Sequence, residues 1–220
     1  MSMSRTALNL VQKSLPQLRL CKNILVLPPT EHIVRGFMLE RTPYKGAFYL
    51  WRLIAPLFRV TLNYSRRIPK GAQVHLSRDN PNESAAIITG IVSENIPHLE
   101  GVRTPDDFLN HIGWMIGNDT PKFLLDLAMT YFLVERLHEA HAAAQEASAE
   151  AEKLVRYYKG SGEGGARTAQ HLEEVGLIAS RLAERIRSNP TAAAEMIAER
   201  ERKNIAEFEL ADTLAETVRN

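Results

Sequence analysis

From Leu133 to Tyr158, apolar and small residues recur at alternating steps of four and three: Leu133, Leu137, Ala140, Ala144, Ala147, Ala151, Leu154 and Tyr158. Strands alternate with a period of two, so this rhythm belongs to a helix that presents one seam to a neighbour, as in a coiled coil. After a Gly-rich break at residues 160–165 the rhythm returns in Leu172, Val175, Ala179, Leu182 and Ile186, and less completely in Phe208, Ala211, Ala215 and Val218. The simplest reading is one very long helix after Pro121, folded back at the 160–165 turn as a coiled-coil-like hairpin or a three-helix array. Alanines let helices approach closely but bury little apolar area, at ~25 cal/mol per Å². Another surface, from this chain or from a second copy, is therefore expected to cover the seam.

Helix starts in this part are marked by a cap residue followed by Pro. Thr104 precedes Pro105, with Asp106 and Asp107 in the positive first turn; Thr120 precedes Pro121, and Asn189 precedes Pro190. A further helix is expected over Ser84 to Asn95, ending before Pro97, with Gly90 as its weak point. Before residue 80 the pattern differs. An N-terminal helix carries Leu8, Val11 and Leu15 on one face. After Pro16 the runs Leu20 to Leu27, His32 to Arg41, Ala47 to Leu57, Val60 to Ser65 and Gln73 to Ser77 are rich in β-branched and aromatic residues and bounded by turn formers. They read as an antiparallel sheet, with residues 32–57 forming a hairpin about Thr42 to Gly46. The third run is apolar on both faces, Arg52 excepted, and is expected at the centre of the sheet. The fold class is thus α+β: a small antiparallel sheet domain with an N-terminal helix over residues 1–80, then a mainly helical region over residues 81–220.

Charge divides along the same line. Residues 1–80 carry 13 Lys/Arg against 3 Asp/Glu and residues 81–220 carry 14 against 23, an asymmetry that the near-neutral total conceals. Such a split points to association with an acidic protein face, nucleic acid or a membrane surface. No run of 18 apolar residues exists, so no transmembrane helix is expected. A single cysteine, Cys21, excludes an internal disulfide and a Cys-rich zinc site, which fits a reducing compartment, with the cytoplasm as the default. Residues 1–30 share the composition of an organelle transit peptide, having Arg5, Lys13, Arg19 and Lys22 and no acid, but a folded helix at the start of a basic domain is the preferred reading.

The motifs that could carry chemistry are poorly formed. Glu135, His138 and His141 have the spacing of one half of a di-metal bundle site, but no second copy exists and the spacing is not that of a zinc protease. In Lys159-Gly-Ser-Gly-Glu-Gly-Gly165 the lysine precedes the glycines, so the segment reads as a turn and not as a phosphate loop. Cys21, with His32 or His75 as a base, has no catalytic signature and reads as a small buried hydrophobe. No cofactor or metal is expected, and the chain reads as a non-enzyme unless the fold assembles a site from distant residues.

The constellation left over is basic and aromatic: Arg35, Arg41, Lys45, Arg52, Arg59, Arg66, Arg67, Lys70 and Arg78 interleaved with Phe37, Tyr44, Tyr49, Trp51 and Tyr64. Guanidinium groups and aromatic rings are natural anchors of protein interfaces, and they can also hold phosphates and stack bases. The alternative is internal, with the aromatics in the core and the arginines paired to acids of the same chain. The runs Arg35-Gly36-Phe37, Phe48-Tyr49-Leu50-Trp51 and Pro56-Leu57-Phe58 loosely resemble uncharacterised bacterial proteins of toxin-immunity and phage-defence loci, over about the first half of the chain. The resemblance implies a partner-binding role in immunity or defence and transfers no functional residue. The expected function is therefore an interaction and assembly protein. Its partner site would comprise Arg35, Arg41, Arg52, Arg59, Arg66, Arg67, Trp51 and Tyr64, and its C-terminal helices would mediate assembly in a complex or a homo-oligomer. Nucleic-acid binding by the same residues is the alternative.

Overall fold

The structure is a computed structural model that describes residues 3–43, 47–59, 65–67, 73–75, 80–112, 120–160 and 162–214. The chain forms two compact units, one from Met1–Leu57, Thr61–Thr104 and Lys203–Asn220, the other from Phe58–Val60 and Pro105–Arg202. The α+β class holds: a helix and an antiparallel sheet come first, then a mainly helical part. The units nevertheless differ from a division at residue 80, because the helices just after the sheet and the end of the chain belong with the sheet.

In the first unit, α1 (Met3–Ser14) is followed by β1 (Arg19–Cys21), β2 (Ile24–Val26), β3 (Ile33–Arg41), β4 (Ala47–Pro56), β5 (Ser65–Arg67) and β6 (Gln73–His75). The strands form one sheet in the order β1-β2-β3-β4, and the far edge of β4 pairs with both β5 and β6. The apolar β4 is therefore central, as its two-faced pattern predicts, and β3 and β4 make the expected hairpin in a register from Ile33↔Pro56 to Arg41↔Phe48. Residues 44–46, at the hairpin tip, and 60–64, in the fourth run, lie outside the described residues.

The run Leu20 to Leu27 is not one strand. Cys21 pairs with Ile24, and the chain reverses at Lys22, which adopts a φ of 53°, and Asn23. No glycine marks this turn, which is why the run reads as continuous. Gly36 marks a different constraint: a Cβ there would lie 2.2 Å from the Leu25 carbonyl oxygen, so the β2–β3 pairing admits no side chain at this position.

One sheet face, with Cys21, Ile24, Val26, Val34, Leu53 and Ala55, packs with Leu57, Leu210 and the partly buried Ile205, Phe208 and Leu214. The chain end is tied in where the Thr30 amide donates to the Thr213 carbonyl at 2.7 Å and Thr30 bridges Leu214. Helix α1, with Ala7, Leu8 and Val11 buried, lies against β1 and α2 (Pro81–Asn95), and α2 also neighbours β6. The start of α2 repeats the device seen elsewhere. Asn80 caps it by accepting from the Glu83 amide at 3.1 Å, and Pro81 occupies the first position, three residues before the expected start. Pro97 does not simply end the helical region but opens α3 (Pro97–Glu100).

The second unit comprises α4 (Pro105–His111), α5 (Pro121–Leu133), α6 (Leu137–Lys159), α7 (Gly162–Ser188) and most of α8 (Pro190–Phe208). Its core joins Leu125, Ala128 and Met129 of α5, Ala140, Ala144 and Ala147 of α6, Val175, Ala179 and Leu182 of α7, Ala193 and Ile197 of α8, and Phe58. Helices α6 and α7 pack antiparallel, and α5 also lies against α6, so this chain itself covers much of the alanine seam. What the structure contains is a helical hairpin within a multi-helix core.

Two expectations about helix length are corrected. The helix after Pro121 breaks at Val134–Arg136: the Arg136 amide donates to Tyr131 O at 2.9 Å, the Glu135 amide to Phe132 O at 3.1 Å, and Glu135 sits at φ 60°. This is a Schellman ending with Glu where Gly is usual, so the sequence carries no glycine to announce it. The glycine run, by contrast, is largely helical. Helix α7 begins at Gly162, two residues after Gly160, and Ser161 lies outside the described residues. No helix among the described residues is long and apolar enough to cross a membrane.

Candidate interaction site

The β3–β4 ladder sets the positions of the expected partner-binding residues and distributes them over both faces of the sheet. Trp51 and Arg52 are neighbours on β4, so their side chains leave opposite faces, and both are half-buried. The register places Arg67 opposite Trp51 and Arg66 opposite Arg52. Arg41 ends β3 opposite Phe48. Tyr64, together with Tyr44, Lys45, Lys70 and Arg78, lies outside the described residues.

Around Trp51 the geometry is specific. Its indole N–H donates to Glu40 Oε2 at 2.6 Å, and its ring meets that of Tyr49 edge to face, with centroids 6.1 Å apart. Glu40 and Tyr49 are register partners, so three side chains from two strands form one polar-aromatic cluster. Glu40, absent from the sequence-derived set, holds the ring in place; only the strand register could have shown it.

Arg35 and Arg59 belong to a different category, because both are buried. Arg35 donates to backbone carbonyls of its own unit: Pro29 at 2.9 Å, Leu99 at 3.2 Å and Leu27 at 3.4 Å. A planar fork of donors thus ties β3 to the segment after β2 and to the end of α3. Arg59 lies in the helical unit, its Nε 2.7 Å from Asp126 Oδ2 on α5, and both side chains are 1% exposed. In the same unit Arg200 donates to the Phe58 carbonyl at 3.1 Å. Burial pushes the Asp126 carboxyl above its ordinary range, while Arg59, Lys122 and Arg200 pull it back; burial and the nearby Arg59 lower Lys122. Arg59 thus realises the internal alternative, an arginine paired to an acid of the helical part. Neither arginine presents its guanidinium on an outer surface.

The weaker motifs resolve in the same way. Glu135 stands at the left-handed junction, outside the helix that carries His138 and His141, so the three do not share one helical face. Among the described residues no three His, Cys, Asp or Glu side chains gather as metal ligands. Lys159 makes an ion pair with Glu173 at 2.7 Å across the hairpin. Cys21 is buried, and burial, aided by Asp212 and Glu209, raises its thiol to about 11, so it is protonated at neutral pH and a poor nucleophile. Asp106 and Asp107 lie in the first turn of α4, as the helix dipole favours. Comparison with protein-family models, curated proteins and solved structures finds no match for this chain.

Proposed function

We propose that this chain is a non-catalytic interaction protein whose sheet unit binds an acidic protein surface and whose helices serve assembly in a complex. The observation that carries the reading is the half-buried Tyr49–Trp51 pair on β4, fixed by Glu40, with Arg67 at the register position opposite Trp51. An aromatic ring held in one orientation loses little entropy on contact, and an arginine opposite it in register favours a carboxylate-bearing partner. A reducing compartment such as the cytoplasm suits a chain whose lone thiol is buried.

The test is affinity capture on full-length protein, comparing the natural chain with Trp51→Ala/Arg67→Gln and analysing both protein and nucleic acid. An acidic protein retained by the natural chain and lost by the variant supports the reading. Retention that survives the variant, or retained material that is nuclease-sensitive nucleic acid, overturns it.

A further inference from the structure

At the corner between α5 and α6 the local signals favour helix, yet the chain turns. Residues 122–159 contain neither Gly nor Pro, and Leu133, Leu137 and Ala140 continue one stripe across the corner. Only three residues leave helical geometry: Val134 at φ −99° and ψ 20°, Glu135 at φ 60°, and Arg136 at φ −85° and ψ 66°. A glutamate at positive φ is strained, because its Cβ crowds the backbone.

The bend has two further costs. Helix α6 starts from Arg136, which makes no side-chain cap hydrogen bond, whereas Asn80, Thr120 and Asn189 each accept from the amide three residues on. Leu137, on the stripe, is left 43% exposed. With the three corner residues helical, residues 121–159 would form one helix about 58 Å long, in which the last carbonyls of α5 accept from the first amides of α6. What the bend secures is packing, since it brings Leu125, Ala128 and Met129 of α5 into one core with Ala140, Ala144 and Ala147 of α6 and Val175 and Leu182 of α7.

A second copy can supply that packing to a straight helix. Two such helices, antiparallel about a twofold axis near Glu135, place α5 of each beside α6 of the other. Every contact between the parts before and after the corner is then rebuilt between copies, the Thr30–Thr213 and Arg200–Phe58 hydrogen bonds included. We infer that residues 134–136 are a hinge through which this chain exchanges its C-terminal part with a second copy, bent in the monomer and straight in the dimer. Opening relaxes two strained hinges, caps α6 with α5 and brings Leu137 to the crossing of the two helices; a short strained connection favours such exchange. The inference rests on the assembly role proposed for the helices and names a second copy as the partner.

Sedimentation velocity of full-length protein, refolded from urea over a wide range of concentration, tests it, together with subunit exchange between isolated dimers followed by energy transfer between two labels. A dimer is expected whose subunits exchange no faster than the helical unit unfolds, because its core must open. Glu135→Gly relaxes the bend and is expected to raise the dimer Kd by about thirtyfold, counted over two hinges. Glu135→Val puts a β-branched residue at positive φ and is expected to lower it by about tenfold. Glu209→Gly relaxes a glutamate at φ 57° whose conformation the opening leaves unchanged, and is expected to keep Kd within about twofold. A monomer at every concentration, with Glu135→Val as well, overturns the hinge and leaves capture of an acidic protein by the sheet unit standing. A dimer that exchanges rapidly, or that responds alike to Glu135→Gly and Glu209→Gly, overturns it in favour of side-by-side association.

Discussion

Arg59 and Asp126 are each 1% exposed and 2.7 Å apart, so most of their interaction compensates for the water both have lost. Such a pair adds little net stability, yet breaking it is costly because one charge is left buried. Asp126→Asn should therefore destabilise the helical unit by about 3–5 kcal/mol, whereas Arg59→Met combined with Asp126→Leu should recover most of that loss. Urea unfolding followed by far-UV circular dichroism reads both. A double variant as unstable as Asp126→Asn would show that the pair does more than neutralise itself. Arg35 meets the same requirement with three carbonyl oxygens from two chain segments. In the sequence these two arginines look no different from Arg52. What separates them is the packing around each side chain, which local composition does not encode, and so the expected site mixed core braces with surface contacts.

The starts of the helices were far easier to read than their ends. A cap residue followed by Pro is a local signal, and Thr120 and Asn189 both accept from the amide three residues on, at 3.3 Å and 3.1 Å. Helix ends depend on a residue that tolerates positive φ, and here that residue is twice a glutamate: Glu135 at 60° after α5 and Glu209 at 57° after α8. In both, the next amide bonds back five residues, Arg136 to Tyr131 and Leu210 to Ile205, closing the same motif. Contacts across each motif hold it, Arg136 lying 4.6 Å from the centroid of the Tyr131 ring and Leu210 packing in the sheet-unit core with Ile205 beside it. A left-handed glutamate costs about 1 kcal/mol relative to glycine. Glu135→Gly should accordingly raise the unfolding free energy by about 1 kcal/mol, and Glu135→Pro should lower it sharply because it removes the donor to Phe132 and forbids positive φ. Thermal and urea unfolding of the two variants distinguish this from a tolerant loop, in which both would be neutral. Strand existence was legible from alternation, and so was the central place of β4. The β1–β2 reversal was not, since Lys22 and Asn23 interrupt an apolar run without glycine or proline.

For the whole molecule, the charge split survives folding in reduced form. The sheet unit carries 15 Lys/Arg against 10 Asp/Glu and the helical unit 12 against 16, because α2, α3 and the end of the chain bring seven acids to the sheet. A count made along the sequence overstates the field that a partner meets, since the chain returns to its first unit after leaving it. What remains is a modest positive excess, with residues 1–30 and 41–78 free of acids. Attraction of that size acts mainly on encounter: it raises the association rate while the aromatic and hydrogen-bonding contacts set the lifetime of the complex. Salt should separate the two. Raising ionic strength from about 0.01 M to about 0.1 M shortens the screening length from about 30 Å to about 10 Å, so association with an acidic peptide or protein should slow by about tenfold while dissociation changes little. Stopped-flow mixing at several salt concentrations measures both rates. A complex whose association rate ignores salt is held by apolar contact alone, and the basic surface of the sheet unit would then have no part in recognising it.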